Sequence, residues 1–358
     1  MKIYIRILII LSGVLTAQCD KGTLEEIFGI PPFGEENKEE EDGNDYNSFW
    51  YYSYEASQLI NAQSLAMQAP EDFTPYTIAH SGDTLFIANT GQAGNSLLTY
   101  SIKDNKLLGT LQSWQFGDKE LDFESPIEAI VPAGNRLYVA ERQSRIHVFH
   151  LPQLTYLTCI GNGQWNGPVF QAQAMTINNG LIFARDKTGT VSIYKEEEEA
   201  TPENYQKVNR YRRTSGNGSP GNNGFASHYM QPDAEGHILL TDYEGKKIRV
   251  LNPEAVNDDL ADNASIDMDH LSLSLEFKPK TLALCDGRWY ATGDNNAINI
   301  YDRLQNKWTK QMKTVKGYAF SQPVRIYAQN DSILWVSDTH NSKRTLVKVS
   351  VHKGEIRE

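Results

Sequence analysis

Short apolar runs of strand length, each bounded by polar turn residues, recur along most of the chain. In the unit near the C-terminus, Pro323 leads into an apolar strand, an Asn-Asp pair marks a turn, and a second apolar strand ends at Asp338. The segments over 74–89 and 123–141 repeat this order. Short runs separated by turn residues are typical of antiparallel strand pairs rather than helices. The pattern therefore predicts a repeated β-hairpin unit.

Six copies of this unit align on the residue that ends the second strand, which we call the anchor residue. Neighbouring anchors are 44 residues apart at the closest (185 − 141) and 57 at the widest (242 − 185). The six anchors are Asn89, Glu141, Arg185, Asp242, Gly293 and Asp338. A period of this length, with several short strands in each unit, is typical of the blades of a β-propeller.

A third apolar run follows every anchor, and a fourth strand often comes next, as over Lys106–Leu111 and Thr155–Ile160. The predicted fold is therefore all-β: a six-bladed β-propeller of four-stranded antiparallel blades. A ring of blades buries the faces of each sheet against its neighbours and leaves only short edges. Proline suits the start of a strand because it cannot donate a ladder hydrogen bond. Four units begin with one, at Pro75, Pro126, Pro279 and Pro323.

The strand-plus-acid segments LYVAE and LWVSD resemble the core of the NHL repeat, and the Gly-rich loop over 161–170 resembles its lead-in loop. Over about residues 74–351 the chain is similar to the NHL-repeat and TolB-like six-bladed propeller lipoproteins. This resemblance implies the same fold. Arg185 and Gly293 stand where the family's repeat normally has an acid, so the repeat is degenerate.

Residues 1–18 have the pattern of a secretory signal peptide, with Lys2 and Arg6 ahead of a short apolar run over 7–15. That run is too short to span a membrane. The segment LTAQC, which ends at Cys19, resembles the lipidation box of bacterial lipoproteins. The resemblance implies a lipid anchor on Cys19 and a place in the cell envelope, on the periplasmic or the surface side of the outer membrane. A secreted chain without a lipid is the alternative.

Residues 19–48 are rich in Glu and Asp. They are predicted to form a disordered tether, because like charges repel and little apolar surface is available for a core. Residues 49–358 are predicted to form a single propeller. The last blade has few residues for its fourth strand, so we expect part of Gln58–Gln68 to supply that strand and close the ring. The net charge of −11 argues against nucleic acid as a partner.

Two cysteines remain within the predicted propeller. Cys159 falls on the fourth strand of blade 2 and Cys285 on the first strand of blade 5. These blades lie opposite each other in a six-fold ring, whereas a disulfide needs Cα atoms within about 7 Å. We therefore expect two unpaired, mostly buried thiols that do not share a metal.

In a propeller, the loops that follow the anchors and the loops that join successive blades lie on one face, around the central channel. We therefore treat polar and aromatic residues at these positions as candidate ligand-binding residues. They are Asn89, Glu141, Arg142, Arg185, Asp242, Asp338, His340, Trp114 and Trp165.

These residues have both a structural and a functional interpretation. Anchor acids and amides suit turns, where they accept backbone N–H bonds, but oxygen ligands converging from several blades would suit Ca²⁺. Arg185 would instead suit an anion or a carboxylate. Trp114 and Trp165 suit either packing between blades or stacking on a ligand. We expect no cofactor, with Ca²⁺ as the alternative.

The sequence contains no H-x-x-x-H pair, C-x-x-C pair, P-loop or nucleophile elbow. The favoured function is therefore a binding platform that takes a protein, peptide or glycan on its top face. A metal-assisted hydrolase or lyase with a site in the axial channel is the alternative, and a structural component of an envelope complex is a third. The fold alone does not choose among them.

Overall fold

The computed structural model places the chain in a ring of small β-sheets. It describes residues 48–92, 94–143, 145–161, 171–186, 191–195, 210–214, 229–251, 268–270, 275–285, 287–303, 306–340 and 343–357. The predicted signal peptide, Cys19 and nearly all of the predicted tether lie outside the described residues.

The described chain is almost entirely extended, and its one helical segment is a 3-10 turn over Pro70–Asp72. The strands of the first half are β1 (Ser48–Ile60), β2 (Pro75–Ser81), β3 (Thr84–Gly91), β4 (Gly94–Ser101), β5 (Lys106–Leu111), β6 (Ser113–Phe116), β7 (Lys119–Asp122), β8 (Ile127–Ala133), β9 (Arg136–Glu141), β10 (Arg145–His150), β11 (Thr155–Ile160), β12 (Ala174–Asn178), β13 (Leu181–Arg185) and β14 (Val191–Lys195). Those of the second half are β15 (Arg210–Thr214), β16 (Met230–Pro232), β17 (Ile238–Asp242), β18 (Lys247–Leu251), β19 (Met268–His270), β20 (Pro279–Cys285), β21 (Arg288–Gly293), β22 (Ile298–Asp302), β23 (Lys307–Met312), β24 (Thr314–Val315), β25 (Tyr318–Ala319), β26 (Pro323–Asn330), β27 (Ile333–His340) and β28 (Lys343–Arg357).

Six four-stranded antiparallel sheets form the blades, which confirms the predicted fold class. In chain order, blades 1 to 5 are β2–β5, β8–β11, β12–β15, β16–β19 and β20–β23, and blade 6 consists of β26, β27, β28 and β1. The first strands of neighbouring blades contact each other, as β2 does with β8 and β26, so they surround the axis. The hairpins β6–β7 and β24–β25 lie in the connections between blades.

The predicted strand starts and anchors are also confirmed. Three prolines open the first strands of blades 1, 5 and 6, and Pro126 immediately precedes that of blade 2. Each anchor lies at or near the end of the second strand of its blade. Because the strands are antiparallel, the first strands begin and the second strands end on the same face, which we call the top face.

The hydrophobic core is divided among the boundaries between blades. Between blades 1 and 2, for example, Phe86 belongs to one cluster with Val139 and Phe149. Between blades 6 and 1, Trp335 belongs to a cluster with Leu85. The remaining clusters contain residues of blades 2 and 3, 3 and 4, 4 and 5, and 5 and 6. Every neighbouring pair of blades therefore buries apolar surface, as a closed ring requires.

The N-terminal strand β1 closes the ring by pairing with β28 along its whole length, from Ser48↔Arg357 to Ile60↔Leu346. The expectation that an N-terminal segment completes blade 6 is thus confirmed. The strand lies mostly earlier than expected, over Ser48–Ile60, and only the first three residues of Gln58–Gln68 belong to it.

Aromatic side chains explain why the closing strand lies earlier in the chain. Tyr52 and Tyr54 pack against the core between blades 5 and 6. The Tyr52 ring also lies 3.5 Å from the guanidinium carbon of Arg288. After β1 the chain turns, since the Leu65 N–H donates to the Asn61 carbonyl at 3.1 Å.

Both cysteines occupy the predicted strands, Cys159 on β11 and Cys285 on β20, and both are buried and unpaired. Burial, together with the charge of Asp331, raises the pKa of the Cys285 thiol to about 12. Among the described residues, no helix has the length and apolar character needed to cross a membrane.

Candidate functional site in the central channel

The first strands of all six blades enclose a central channel with a cavity of about 330 Å³. One part of the wall is apolar, with Ile130 and Val131 on blade 2 and Ile177 on blade 3. Its polar lining residues are Thr77, His80, Glu128, Thr176, Tyr229, Gln231, Thr281, Arg325 and Tyr327. A concave site of this size with a mixed lining suits a small molecule or the end of a chain.

Four of these polar residues share a position in the repeat. Thr77, Glu128, Thr281 and Arg325 each lie two residues after the proline of their blade. The regular pairing of the first and second strands is interrupted near the same point in those four blades, whereas it is regular throughout blades 3 and 4. A bulge re-aims side chains. The bulge beside each of these prolines therefore helps to direct a polar side chain into the channel near its top.

Glu128 and Arg142 form an ion pair near the top of the channel. The Arg142 Nε donates to Glu128 Oε1 at 2.6 Å. The Glu128 side chain is 3% exposed and that of Arg142 is 56% exposed. The carboxylate thus belongs to the wall, and the guanidinium reaches it from the solvent. The candidate residue Arg142 therefore acts on the channel through Glu128, which the sequence analysis did not single out.

Arg325 carries the other charge of the described channel lining. It is 5% exposed, and its guanidinium carbon lies 4.2 Å from the centre of the Tyr76 ring. Its charge reaches neighbouring groups. The pKa of Lys280 is lowered mainly by burial and further by Arg325. The pKa of Tyr229 is raised well above its ordinary value by burial, while Arg325 opposes that shift.

Farther down the channel, His80 and Tyr327 form a neutral pair. The Tyr327 oxygen lies 2.6 Å from His80 Nδ1 and accepts the backbone N–H of His80 at 3.2 Å. Burial lowers the pKa of His80, so its ring is neutral at pH 7. The phenol therefore donates to Nδ1, and the imidazole proton lies on Nε2. Burial also raises the pKa of Tyr327 to about 12, so the phenol keeps its proton.

Three anchor side chains hold the backbone that leads into the first strand of their blade. Asn89 Oδ1 accepts the Thr74 N–H at 2.6 Å, and Glu141 Oε1 accepts the Glu124 N–H at 3.1 Å. Asp338 accepts the N–H groups of both Ser321 and Gln322, at 3.0 and 2.7 Å. Backbone hydrogen bonds thus occupy these oxygens, as the structural interpretation of the anchors expects.

The other two charged anchors, Arg185 of blade 3 and Asp242 of blade 4, influence each other electrostatically. Asp242 accepts the Gly245 N–H at 2.7 Å and forms an ion pair with Arg249 at 2.8 Å. Arg185 is fully buried, and its Nη1 donates to the Asp186 carbonyl at 3.3 Å. Burial lowers the pKa of Arg185 to about 10, while Asp186 and Asp242 oppose that change. Arg185 is not among the described residues that line the channel.

The anchors do not come together as a cluster of metal ligands. Within the described ranges, the one group of at least three such side chains with mutually close ligand atoms is Asp233, Glu235 and His237. It lies in the turn between β16 and β17, on the face opposite the anchors. There Asp233 Oδ1 accepts the N–H groups of Glu235 and His237, and Glu235 pairs with Arg303 at 2.9 Å. These contacts account for the cluster as a turn.

The remaining candidates lie in different surroundings. Trp114, on the β6–β7 hairpin, is buried against Phe149 and Tyr156 with ring centroids 5.0 and 5.4 Å away, so it packs rather than faces a ligand. His340 is exposed at the top end of β27. Trp165 lies outside the described residues, as does Cys19.

Blade 2 also buries a charged cluster next to its anchor. His147 Nε2 lies 3.1 Å from Glu141 Oε1, and His147 is the cross-strand neighbour of Cys159. Burial alone would lower the pKa of His147, but Cys159 and Glu141 outweigh it and raise that pKa to about 9. The cluster carries an imidazolium at pH 7. It lies behind the wall of the channel, outside the described lining.

The comparison with solved structures identifies the class of protein as a β-propeller. A structural genomics protein of unknown function from Bacteroides thetaiotaomicron matches with a TM-score of 0.55 at 11% identity, over 85% of this chain and 76% of that one. The propeller domain of Cps50 (Swd1) from Myceliophteria thermophila matches with a TM-score of 0.51 at 10% identity, over 84% of this chain and all of that one. The RRP9 WD40 repeats give 0.54 at 9% identity, over 84% and 100%.

No family model matches the chain, and no curated protein matches its sequence. At identities this low, the structural matches establish the fold alone.

Proposed function

We propose that the protein is a lipid-anchored binding protein of the cell envelope, whose top face and channel mouth take a partner protein, peptide or glycan. The observation that carries this proposal is the opening of the channel, where Glu128 and Arg142 form an ion pair that joins the wall to the solvent. Propellers commonly serve as platforms for protein interaction, and that support is an analogy of fold.

The anchors support a binding role over metal-assisted chemistry. Asn89 and Asp338 accept backbone N–H groups, Glu141 accepts a backbone N–H and contacts His147 and Ser125, and Asp242 bonds to a turn N–H and to Arg249. A Ca²⁺ site would need six to eight oxygen ligands directed at one point. We therefore propose binding without a cofactor.

The proposed location rests on the N-terminal segment. Lipidation of Cys19 would hold the ring at the membrane, and the acidic segment 19–48 would separate the ring from it. We propose an anchor on the outer membrane, on its periplasmic or surface side. Labelling cells with a radioactive fatty acid tests this, since the label should enter the native protein and be absent from Cys19→Ala. An unlabelled native protein would contradict the anchor.

The binding role is tested by comparing the two faces of the ring. We would photo-crosslink the full-length protein to its neighbours in membranes of the source cells, and compare Arg142→Glu and His340→Glu on the top face with Arg303→Glu on the bottom face. His340 is exposed, so its replacement leaves the fold intact. The expected result is one partner that the top-face variants lose and the bottom-face variant keeps. Equal capture by all variants, or loss only in the bottom-face variant, would overturn the proposal.

A further inference from the structure

The channel lining contains polar atoms that have no hydrogen-bond partner among the described residues. They are the hydroxyls of Thr77 and Thr176, the side-chain amide of Gln231, Nε2 of His80 and Oε2 of Glu128. Arg142 bonds to the other carboxylate oxygen of Glu128, Oε1. Polar groups of a folded protein bond to protein, water or ligand. These atoms are therefore available to a molecule that enters the channel.

Two of the atoms belong to side chains that are almost fully buried. Glu128 and Thr176 are each 3% exposed. Their unoccupied oxygens are nonetheless not among the polar atoms that the described part of the chain seals off without a partner. Both oxygens are therefore reachable from the channel that the two residues line. Thr176 has a short side chain and Glu128 is held by Arg142, so binding to them costs little side-chain entropy.

The available groups surround the channel instead of lying along one side of it. They come from blades 1 to 4: Thr77 and His80 on β2, Glu128 on β8, Thr176 on β12 and Gln231 on β16. They also differ in depth. His80 follows Thr77 by three residues, which is about 10 Å along an extended strand. A molecule that reaches these groups must carry hydrogen-bonding atoms around its circumference.

The groups also differ in whether they donate or accept a hydrogen bond. Oε2 of Glu128 accepts, and Nε2 of neutral His80 donates, because the Tyr327 phenol donates to Nδ1. The threonine hydroxyls and the glutamine amide can do both. A hydroxyl group on the entering molecule can bond to any of them, because it also donates and accepts. Several hydroxyls around one body therefore match this lining.

The apolar part of the wall requires that this body also present C–H surface. Ile130 and Val131 of blade 2 and Ile177 of blade 3 form that part of the lining. A saccharide ring carries hydroxyls at its edge and C–H groups on its faces. The cavity of about 330 Å³ is within the range of sites for small molecules.

We propose that the channel binds a neutral saccharide residue, with Glu128 and Thr176 bonding to its hydroxyls and Ile177 in contact with its C–H face. This inference rests on the proposed function and deepens it by choosing a glycan as what enters the channel mouth. A carboxylate oxygen forms a strong, charge-assisted hydrogen bond with a hydroxyl. A peptide is less suited, since its backbone groups follow one line and the available groups lie around a ring.

Titration calorimetry of the full-length protein tests the chemistry with neutral methyl glycosides of glucose, galactose, mannose, xylose and N-acetylglucosamine. At least one should bind, and tetrahydropyran, which has the ring without the hydroxyls, should bind at least tenfold more weakly. Failure of all five glycosides, or equal affinity for tetrahydropyran, would overturn the proposal. Binding of N-acetyl-alanyl-alanine amide without any glycoside would show a peptide site instead. Tighter binding of methyl glucosaminide or methyl glucuronide would contradict a neutral ligand.

Variants assign the binding to the channel. Glu128→Gln replaces the accepting oxygen and should weaken binding of the best glycoside about tenfold or more, whereas Glu235→Gln on the bottom face should leave it unchanged. Thr176→Val removes one hydroxyl at nearly equal size and should weaken binding about threefold or more. Thr110→Val on the exposed outer strand β5 is its matched control. Melting temperatures show which variants fold. If Glu128→Gln does not, Thr176→Val decides, and native affinity in the folded channel variants would contradict the placement.

The test separates this inference from the proposed function. If the top-face variants lose a crosslinked partner while no glycoside binds, the binding role stands and the saccharide site falls. If a glycoside binds and the partner is captured equally by all variants, the saccharide site stands and the role as a platform for a protein falls.

Discussion

Blades 2 and 5 meet the same structural requirement at their anchors in different ways. In blade 2 the anchor Glu141 is fully buried and accepts the N–H of the lead-in residue Glu124 at 3.1 Å. In blade 5 the anchor is Gly293, and the following residue, Asp294, accepts the N–H of Lys278 at 2.8 Å. The lead-in backbone needs an acceptor in both blades, and either of two adjacent positions can supply it.

The space available for a side chain at the anchor position explains why blade 2 has Glu141 and blade 5 has Gly293. A Cβ on Gly293 would lie 2.5 Å from a ring carbon of Phe277 and 2.9 Å from the Lys278 carbonyl. Phe277 therefore fills in blade 5 the volume that a side chain on the anchor would need. In blade 2 that volume holds a carboxylate, and the carboxylate requires a buried partner.

The third strands of blades 2 and 5 differ in the same way as their anchors. By register, His147 of blade 2 corresponds to Asn299 of blade 5, since they pair with Val139 and Ala291 of the second strands. Asn299 exchanges hydrogen bonds with the amide of Asn295 at 2.9 and 3.2 Å. Blade 5 thus uses neutral amides where blade 2 uses an ion pair, so the pH dependence of stability should arise in blade 2.

Removing the blade 2 anchor should have the largest effect. Glu141→Ala removes the carboxylate that pairs with the buried His147 ring and leaves the Glu124 N–H without its acceptor. Loss of one partner of a buried pair costs about 3–5 kcal/mol. Urea denaturation at pH 7 measures the change, with Glu124→Ala as the control because its side chain is exposed. A loss below about 1 kcal/mol would show that the buried pair contributes little, and the contrast between the blades would disappear.

Raising the pH should have the next largest effect. The pKa of His147 is about 9 in the folded protein, above its ordinary value of 6.5. The stabilisation is therefore complete below about pH 6.5 and is lost as the pH rises through 9, with a full size of about 3 kcal/mol. Urea midpoints of the reduced protein at pH 6 and pH 9.5 measure it.

The variant His147→Gln supplies the control for this pH dependence. It should show a smaller decline in unfolding free energy over the same interval, because the titrating group is absent. Equal declines in the two proteins would assign the pH dependence to other groups.

Adding a side chain to the blade 5 anchor should have an intermediate effect. Gly293→Ala forces the new Cβ against Phe277 and the Lys278 carbonyl, and such overpacking costs about 1–3 kcal/mol. Gly109→Ala in blade 1 is the matched control, because its Cβ would meet only the Thr99 hydroxyl at 3.5 Å. Thermal denaturation of both variants should show a larger loss for Gly293→Ala. Equal losses would refute the steric account of the missing acid.

The sequence pattern was sufficient for the ring because the same strand lengths, prolines and strand-ending residues recur in successive blades. It did not locate β1, since no repeat marks the closing strand and its position depends on where Tyr52 and Tyr54 pack. It also missed Glu128 and Arg325. Their signal was present as a constant offset of two residues from Pro126 and Pro323.

The candidate site was harder to predict because one residue type served two purposes. Glu141 and Asp338 have the composition of a ligand site, yet they bond to backbone groups that only the folded chain brings near. Trp114 lies in a connection, where an aromatic residue can face either solvent or core. The β6–β7 hairpin directs it inward, onto Phe149. These outcomes depend on tertiary contacts that no local pattern contains.

Removing the displaced acceptor of blade 5 should have the smallest effect. Asp294→Ala leaves the Lys278 N–H without its side-chain acceptor, but the site is exposed and water can replace it. The loss should be about 1 kcal/mol, similar to that of a helix-capping side chain. Asp294→Asn keeps an oxygen acceptor and should retain most of that stability, and exposed Asp118→Ala controls for the loss of a surface charge. If Asp294→Asn were as unstable as Asp294→Ala, charge rather than acceptance of the N–H would explain the acid, and the correspondence with Glu141 would fail.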